Sequence, residues 1–312
     1  MIQIFGAGVA GTYLYHLFEQ NGYKANIFDV RSSVDCRCAW GIIYSEAKEL
    51  YGRIGVDIDD YLLSKPECVV VNGVVLKNKN IVTFDKKKLL RDLWVDFKKI
   101  ENPELIIDAT GTSRAFLPPI KQDRLFPTVQ YLEKQKIEEN IYILAKNTGY
   151  SWAFPLGNNM WHVGAGALSL EDANELVRKL REKYGFKSCE AECSCLAKIR
   201  MLPPSKCRPF IYQNVCGVGE AIGCVSGAGE GNVPALISSK VLFGCIERNK
   251  LEEYENCIVK ELEWLEVEQK FVEAMLNKKR FSMLRLLPKI VKFERERTVE
   301  HSVETIRSIL GI

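Results

Sequence analysis

Met1-Ile2-Gln3-Ile4-Phe5-Gly6-Ala7-Gly8-Val9-Ala10-Gly11 opens the chain, a short apolar run that meets three glycines spaced G-x-G-x-x-G. An amphipathic stretch over residues 12–21 follows, then Gly22, and then a second apolar strand over 25–28 that ends at Asp29-Val30-Arg31. The order strand, glycine turn, helix, strand, acid is that of a βαβ unit built to hold a dinucleotide. Each glycine has its own role. Gly6 permits the tight turn, Gly8 lets a pyrophosphate approach the backbone, and Gly11 lets the helix lie close to the strand. The N–H groups of Val9, Ala10 and Gly11 and the positive end of the helix suit phosphate oxygens. Asp29 is placed to accept hydrogen bonds from a ribose. The unit does not distinguish one dinucleotide from another.

The remaining composition narrows the class. With 312 residues, 47% hydrophobic and 27% charged, the chain reads as a globular protein able to bury a large core. A formal net charge of +3, without a zinc-finger or RNP signature, argues against a nucleic-acid partner. The first residues already form a core strand and no apolar run approaches the ~20 residues of a membrane span, so the expectation is a cytoplasmic protein. Contact with a membrane surface stays open. Eleven cysteines are present. Cys216, Cys224 and Cys245 lie in apolar surroundings and read as small buried residues. Cys189, Cys193, Cys195 and Cys207 leave free thiols, a disulfide or a metal site as alternatives, since their spacing is not that of a zinc ribbon.

Further along, Cys68-Val69-Val70-Val71-Asn72-Gly73-Val74-Val75-Leu76 reads as a β-hairpin about an Asn-Gly turn. A helix is expected over 85–97, with Lys86, Lys87 and Lys88 on its solvated face. Residues 105–108 form a buried strand running into Ala109-Thr110-Gly111, and 141–144, 151–155 and 160–164 are further strands. An amphipathic helix covers 170–184 and ends at Gly185. After a strand at 214–218 and two glycine clusters, a helix spans 233–247. From 251 onward the pattern is helical and charged, broken at Pro288, and fits either packing on the domain or contact with a membrane surface or second copy. The fold class expected is α/β: a Rossmann-like dinucleotide domain from 1–65, 84–125 and 205–250, an inserted antiparallel β-sheet domain from 66–83 and 126–204, and C-terminal helices over 251–312.

Three motifs downstream resemble the geranylgeranyl reductase family of flavoproteins, within the aromatic-hydroxylase-like group. They are Asp108-Ala109-Thr110-Gly111, Gly149-Tyr150-Ser151-Trp152-Ala153-Phe154-Pro155, and the pair Gly219-Glu220-Ala221-Ile222-Gly223 and Gly229-Glu230-Gly231. The middle one is similar to the family's G-Y-x-W-x-F-P and separates it from the hydroxylases. The resemblance, over about residues 1–250, implies FAD of the glutathione-reductase binding type. Gly6, Gly8, Val9, Ala10 and Gly11 would lie at its pyrophosphate, and Asp29, Val30 and Arg31 at its adenosine ribose. Cys38, Ala39, Ala109, Thr110 and Gly111 would pass beside it, with Gly219 and Glu220 near the ribityl chain and Gly229, Glu230, Gly231 and Asn232 opening a helix toward the ring. Trp152, Phe154 and Pro155 would wall the substrate, and Cys38, Tyr150 and Trp152 are the candidate catalytic residues. No metal is implied.

The reaction implied is hydrogenation of an isoprenoid or other apolar alkene in archaeal lipid biosynthesis, with electrons from NAD(P)H or a ferredoxin-like donor. The same fold also carries monooxygenases and allows a non-catalytic flavin-binding protein. The chain departs from the family pattern in three places: Glu220 stands for aspartate, Ala39-Trp40 follows Cys38 where glycine is usual, and only ten residues separate Trp94 from Leu105 where a strand pair and helix are normal.

Overall fold

The computed structural model describes residues 1–34, 39–187, 191–301 and Thr305. In chain order, β1 (Ile2–Phe5), α1 (Val9–Gln20) and β2 (Ala25–Phe28) form the βαβ unit. β3 (Gly41–Ile43) runs straight into α2 (Tyr44–Gly52), followed by β4 (Leu62–Ser64), the hairpin of β5 (Cys68–Val71) and β6 (Val74–Asn78), and β7 (Ile81–Phe84). Then come α3 (Lys86–Asp92), β8 (Leu105–Asp108), and the long strands β9 (Leu125–Lys134), β10 (Ile141–Lys146), β11 (Gly149–Pro155) and β12 (Met160–Ala167). α4 (Leu170–Tyr184), β13 (Cys193–Arg200), β14 (Ile211–Tyr212), β15 (Val215–Gly217) and α5 (Asn232–Glu247) follow. The chain continues through α6 (Tyr254–Glu261), α7 (Glu263–Leu276), α8 (Arg280–Arg297) and β16 (Val299–Glu300).

The strands build three sheets. β14-β15-β8-β1-β2 is parallel apart from its β14 edge, as expected where helices cover both faces. Within it β1, between β8 and β2, carries one polar inward residue, Gln3, which is fully buried. The Gln3 amide is fully used: Nε2 donates to Asn26 O and Lys98 O, and Oε1 accepts from Ile100 N–H. It sews the segment around 98–100 onto the sheet. This is why the helix expected over 85–97 stops at Asp92. Beyond it the backbone runs back along the sheet, Lys98 N–H donating to Ile27 O at 3.0 Å, and a helix cannot offer those groups sideways.

β13-β9-β12-β11-β10-β5-β6-β16 is antiparallel except where β5 runs parallel to β10, and β3-β7-β4 is a small third sheet. The β5–β6 hairpin turns on Asn72 and Gly73, both at positive φ, as an Asn-Gly turn requires. Side-chain alternation divides the eight-stranded sheet into two faces. One packs Val129, Val163 and Ala165 against Leu176, Val177 and Leu180 of α4. Fully buried side chains of this size contribute roughly 1.5–3 kcal/mol each. They, and not the exposed ion pairs of Arg178, hold the helix down. Ser169 caps α4 and Gly185 ends it at φ 77°.

The second face carries Tyr150, Trp152 and Phe154 of β11 beside His162, Gly164 and Gly166 of β12. A Cβ on Gly164 would lie 2.6 Å from both Trp152 Cζ2 and Val129 O, so the indole lies flat across the strand only because no side chain stands there.

The C-terminal part differs from expectation at Pro288, which sits inside α8 without ending it. Pro288 is exposed, as is Leu284 four residues earlier, so the carbonyl it leaves unpaired faces water. The helices instead break at Leu262 and at the turn through Lys278, whose φ is 54°. α7 grips the body through buried polar groups. Glu266 accepts Ser205 N–H and Oγ–H, Glu268 accepts Gly227 N–H, and Gln269 donates to Val225 O and Ser226 O.

Replacing Gly164 by alanine drives a methyl into Trp152 and the β9 backbone. It is expected to destabilise the chain by about 1–3 kcal/mol, read as a lower urea midpoint at unchanged slope.

Candidate functional site

The first wall of the site is the turn between β1 and α1. Gly6 has φ 102° and its missing Cβ would fall 2.3 Å from Ala109 O. At Gly11 a Cβ would come within 1.9 Å of Gly6 O. Gly8 is different: a Cβ there meets nothing within 4 Å. Two glycines are therefore demanded by the protein itself, and the third leaves open space in front of the helix. α1 begins at this opening with no side-chain cap and no acid in its first turn. Its first N–H groups and its positive end are directed at that space.

Asp29 follows β2, as the motif requires. Its carboxylate accepts Ala7 N–H at 2.7 Å and Arg31 N–H at 2.9 Å, and Arg31 Nε and Nη2 grip it as a fork at 2.9 and 2.6 Å. Burial alone would raise this acid, but the hydrogen bonds from Arg31 and Ala7 outweigh it and hold it at about 2. Val30 between them is 92% exposed and touches little.

The second wall is the turn after β8. The fully buried Asp108 carboxylate accepts the N–H groups of Thr110, Phe116 and Leu117 and the Thr110 hydroxyl. It thereby fixes Ala109, Thr110 and Gly111 against Gly6. Arg200, at the end of β13, is 1% exposed and pairs with Asp123 at 2.9 Å. Its guanidinium also donates to Thr112 O at 2.9 Å and Glu220 O at 2.5 Å, while its N–H donates to Glu220 Oε1 at 2.7 Å. Glu220 is thus held from both its backbone and its carboxylate, with Oε2 3.9 Å from where a Gly111 side chain would begin. Arg114, 5% exposed, plays a parallel part, donating to Pro118 O and Pro209 O at 2.7 Å and to Ala221 O. Sequence reasoning missed both arginines. A lone Arg between apolar residues, as in Ile199-Arg200-Met201 ahead of Pro203-Pro204, was the available signal.

The third wall is the start of α5, whose N-cap residue, Gly231, has no side chain to cap it and whose first turn holds no acid; the Glu230 carboxylate bonds that turn from outside. It crosses α1 closely enough for the Ser239 hydroxyl to donate to Ala10 O at 3.0 Å, and Gly219 N–H donates to Ser238 Oγ at 2.8 Å. Asn232 donates to Gly41 O and accepts Lys86 Nζ at 2.8 Å. Lys86 is therefore not on a solvated face: it is buried, 9% exposed, and places a cation at the α5 N-terminus, while Lys87 and Lys88 are exposed. Just before, Glu230 Oε1 accepts Val233 N–H at 2.8 Å and Oε2 is enclosed without a partner. Burial pushes this carboxyl up to about 7 against the pull of the Val233 N–H and the Arg297 charge. Glu46 of α2 and Arg297 of α8 face it, and Arg297 in turn faces Glu268 of α7, which neighbours Glu294 of α8. Arg297 binds Glu46 in a fork and lies over the Trp264 ring at 3.4 Å. Burial and the Glu294 carboxylate keep Glu268 well above the carboxylate range.

The fourth wall is the open face of the eight-stranded sheet. Tyr150 fills the place of a side chain at Gly229, where a Cβ would sit 1.6 Å from its hydroxyl, and Gly229 has φ 83°. Burial, reinforced by the Glu220 charge, pushes the Tyr150 hydroxyl well above the phenol range, so it keeps its proton. Trp152 Nε1 donates to Gln130 Oε1 at 3.3 Å. Phe154 packs on Gly41, and Pro155 O accepts the Thr83 hydroxyl at 2.6 Å, fastening this strand to the small sheet. His162 meets Trp40 edge-on at 4.6 Å, and burial lowers its ring to about 4, leaving it neutral. His16 binds Leu93 O and is remote from this face. Ala39 is half-buried just before β3; Cys38 lies outside the described residues, as do Cys36 and Cys189. Cys193 and Cys207 are free thiols, Cys207 packing against Gly223 with its thiol pushed by burial up to about 12. Among the described residues no three His, Cys, Asp or Glu side chains are grouped to hold a metal, and no helix is long and apolar enough to cross a membrane.

No family model matches the chain. An uncharacterized protein of Methanocaldococcus jannaschii is 25% identical to it, the alignment covering 91% of this chain and 92% of that one. Among solved structures, a geranylgeranyl bacteriochlorophyll reductase-like protein of Thermoplasma acidophilum superposes with TM-score 0.74 at 17% identity, over 99% of this chain and 95% of that one. PqsL of Pseudomonas aeruginosa, a probable FAD-dependent monooxygenase, gives 0.63 at 14% identity over 92% and 99%. Klebsiella pneumoniae HpxO, solved with FAD and uric acid, gives 0.62 at 13% identity over 100% and 96%. The chain has the fold these proteins share: a Rossmann-type parallel sheet joined to a large antiparallel one.

Glu230 makes stability depend on pH. Its folded pKa of about 7 lies above the usual 4.5, so the folded chain retains a proton that the unfolded chain releases between those values. The stabilisation is complete below about pH 4.5 and is lost as pH rises through about 7. Glu268 acts in the same direction, whereas Asp29 titrates far below this window. Thermal melts from about pH 5 to 8 are expected to decline in the parent chain and to decline less in Glu230→Gln.

Proposed function

We propose that the chain is an FAD-dependent oxidoreductase that reduces carbon–carbon double bonds of an isoprenoid or similarly apolar substrate. The observation that carries the cofactor is the uncapped N-terminus of α1 with open space in front of Gly8, beside the N-terminus of α5 that the Ser239 hydroxyl draws onto Ala10. Gly6, Gly8 and Gly11, with the N–H groups of Val9 and Ala10, would hold the pyrophosphate. Asp29 and Arg31 would hold the adenosine end, and Ala109, Thr110, Gly111 and Glu220 the middle. Gly229, Glu230, Gly231 and Asn232 would face the ring. Bound FAD would supply a hydride equivalent after reduction by NAD(P)H or a ferredoxin-like protein. The buried Lys86 and the α5 dipole would stabilise negative charge gathering at the ring.

The substrate class rests on the open sheet face. Trp152 commits its N–H to Gln130, Tyr150 sets its hydroxyl against Gly229, and His162 is neutral. This wall offers shape, apolar contact and exclusion of water, which is what an uncharged alkene needs. Trp152, Phe154 and Pro155 would bound the substrate. Tyr150, which keeps its proton, would orient the ring and the glycine loop. Cys38 is proposed as the proton donor on the resemblance alone. A cytoplasmic site and a role in archaeal lipid synthesis belong to the same proposal.

The test is reconstitution of the purified chain with FAD, then anaerobic reduction by dithionite in the presence of a prenyl substrate. The expected outcome is a flavin spectrum and gain of two hydrogens per reduced bond by mass spectrometry. Hydroxylated product or rapid peroxide release on reoxidation would favour the monooxygenase reading, and bound flavin without turnover a binding protein.

Two glycine variants separate cradle from scaffold. Gly8→Val is expected to abolish FAD uptake while leaving the melting temperature of the flavin-free chain nearly unchanged, because its side chain enters only open space. Gly11→Val strikes the Gly6 carbonyl and is expected to lose both, the stability loss being on the order of 3 kcal/mol or more.

A further inference from the structure

From Ala274 to Phe293 the sequence holds six cations, Lys278, Lys279, Arg280, Arg285, Lys289 and Lys292, and no acid, although the whole chain has a formal charge of only +3. All six are exposed, and Lys289 pairs with the exposed Glu263 of α7 at 3.4 Å. They surround the α7–α8 turn and the outer face of α8, while Met283, Leu287, Ile290 and Val291 on its inner face are buried and anchor it. Set among the cations at the start of α8 are Phe281, 91% exposed, and Leu284, 38% exposed. Phe281, Leu284, Arg285 and Pro288 follow helical spacing i, i+3, i+4, i+7, so they lie along one outward stripe.

We propose that this end of α8 is a docking surface for an anionic lipid bilayer, with Phe281 and Leu284 entering the headgroup layer and Lys278, Lys279, Arg280, Arg285 and Lys292 meeting lipid phosphates. Charge complementarity commits the surface to an anionic partner. The apolar pair set among cations on an anchored helix face is the pattern of an interfacial helix, and a formal charge of only +3 over the whole chain favours a bilayer over a nucleic acid. The anchored inner face keeps the helix parallel to the body, so it lies on the surface and does not insert. No residue of the nucleotide cradle takes part.

The experiment is flotation of the full chain with vesicles of phosphatidylcholine alone or mixed with phosphatidylglycerol, at low and high salt. Binding is expected only to the mixed vesicles and should weaken as salt is raised. The double variant Phe281→Ser, Leu284→Ser should bind at least about tenfold more weakly. Each of Lys279→Gln and Arg280→Gln should cost roughly fivefold. Because all four residues are exposed, melting temperature and FAD uptake should match the parent, so a defect in flotation is separable from a defect in folding or flavin binding. The proposal is overturned if the parent fails to float with anionic vesicles, if it binds neutral vesicles equally well, or if the Phe281→Ser, Leu284→Ser variant binds like the parent. It is equally overturned if duplex DNA captures the chain with an affinity that this variant leaves unchanged, since the patch is then a general polyanion surface.

Discussion

Everything in this molecule depends on one contact between backbones. The first turn of α1 lies so close to the end of β1 that Gly11 has no room for a single carbon beside the Gly6 carbonyl, and Gly6 is pressed in turn against Ala109. That contact locks three pieces, β1, α1 and the turn after β8, into one rigid corner. The rest of the candidate site is arranged around it. Asp108 freezes the turn from inside, Ser239 draws α5 onto Ala10, and Asp29 reaches back to Ala7. Without that approach the helix would sit farther out and its N-terminal groups would point past the opening at Gly8.

The elements that could be read in the sequence are those decided by neighbours along the chain. The helix over 170–184 was legible to the residue, because a 3.6-residue apolar stripe and a terminal glycine are both local signals. The Asn72-Gly73 hairpin and the glycine motif were legible for the same reason. What the sequence hid was decided across long distances. Lys86 reads as one of three solvated lysines until the α5 N-terminus is seen beside it. The part of Arg200 depends on Asp123, Thr112 and Glu220, none of them near it in sequence. Pro288 reads as a helix terminator because local reasoning cannot know that the freed carbonyl faces water. Of the candidate site, the glycine turn was fully visible, the sheet wall was visible through Gly149 to Pro155, and the arginines that brace it were not.

The glycine-rich loop before α5 is held by an arrangement no motif announces. Its N–H at Gly227 is bound by Glu268, its carbonyls at Val225 and Ser226 by Gln269, and its own Glu230 faces the Glu46–Arg297 fork. One arginine among four carboxylates is an imbalance that the folded chain resolves by retaining protons. The C-terminal helices are thus part of the site's frame, since they decide how the loop presents Gly229 to Tyr150.

The way the sheets end has a consequence for the protein in company. The parallel sheet finishes at β14 and the large sheet at β16, each a strand of only two residues. Short borders of this kind give an incoming strand almost nothing to pair with. β13 is the opposite case, an eight-residue border with Ser194, Leu196 and Lys198 facing outward. Leu196 is 60% exposed there, and Lys198 is the charge that interrupts the row. On the large sheet, self-recognition by strand addition therefore has one long border to use, and a single lysine stands guard over it.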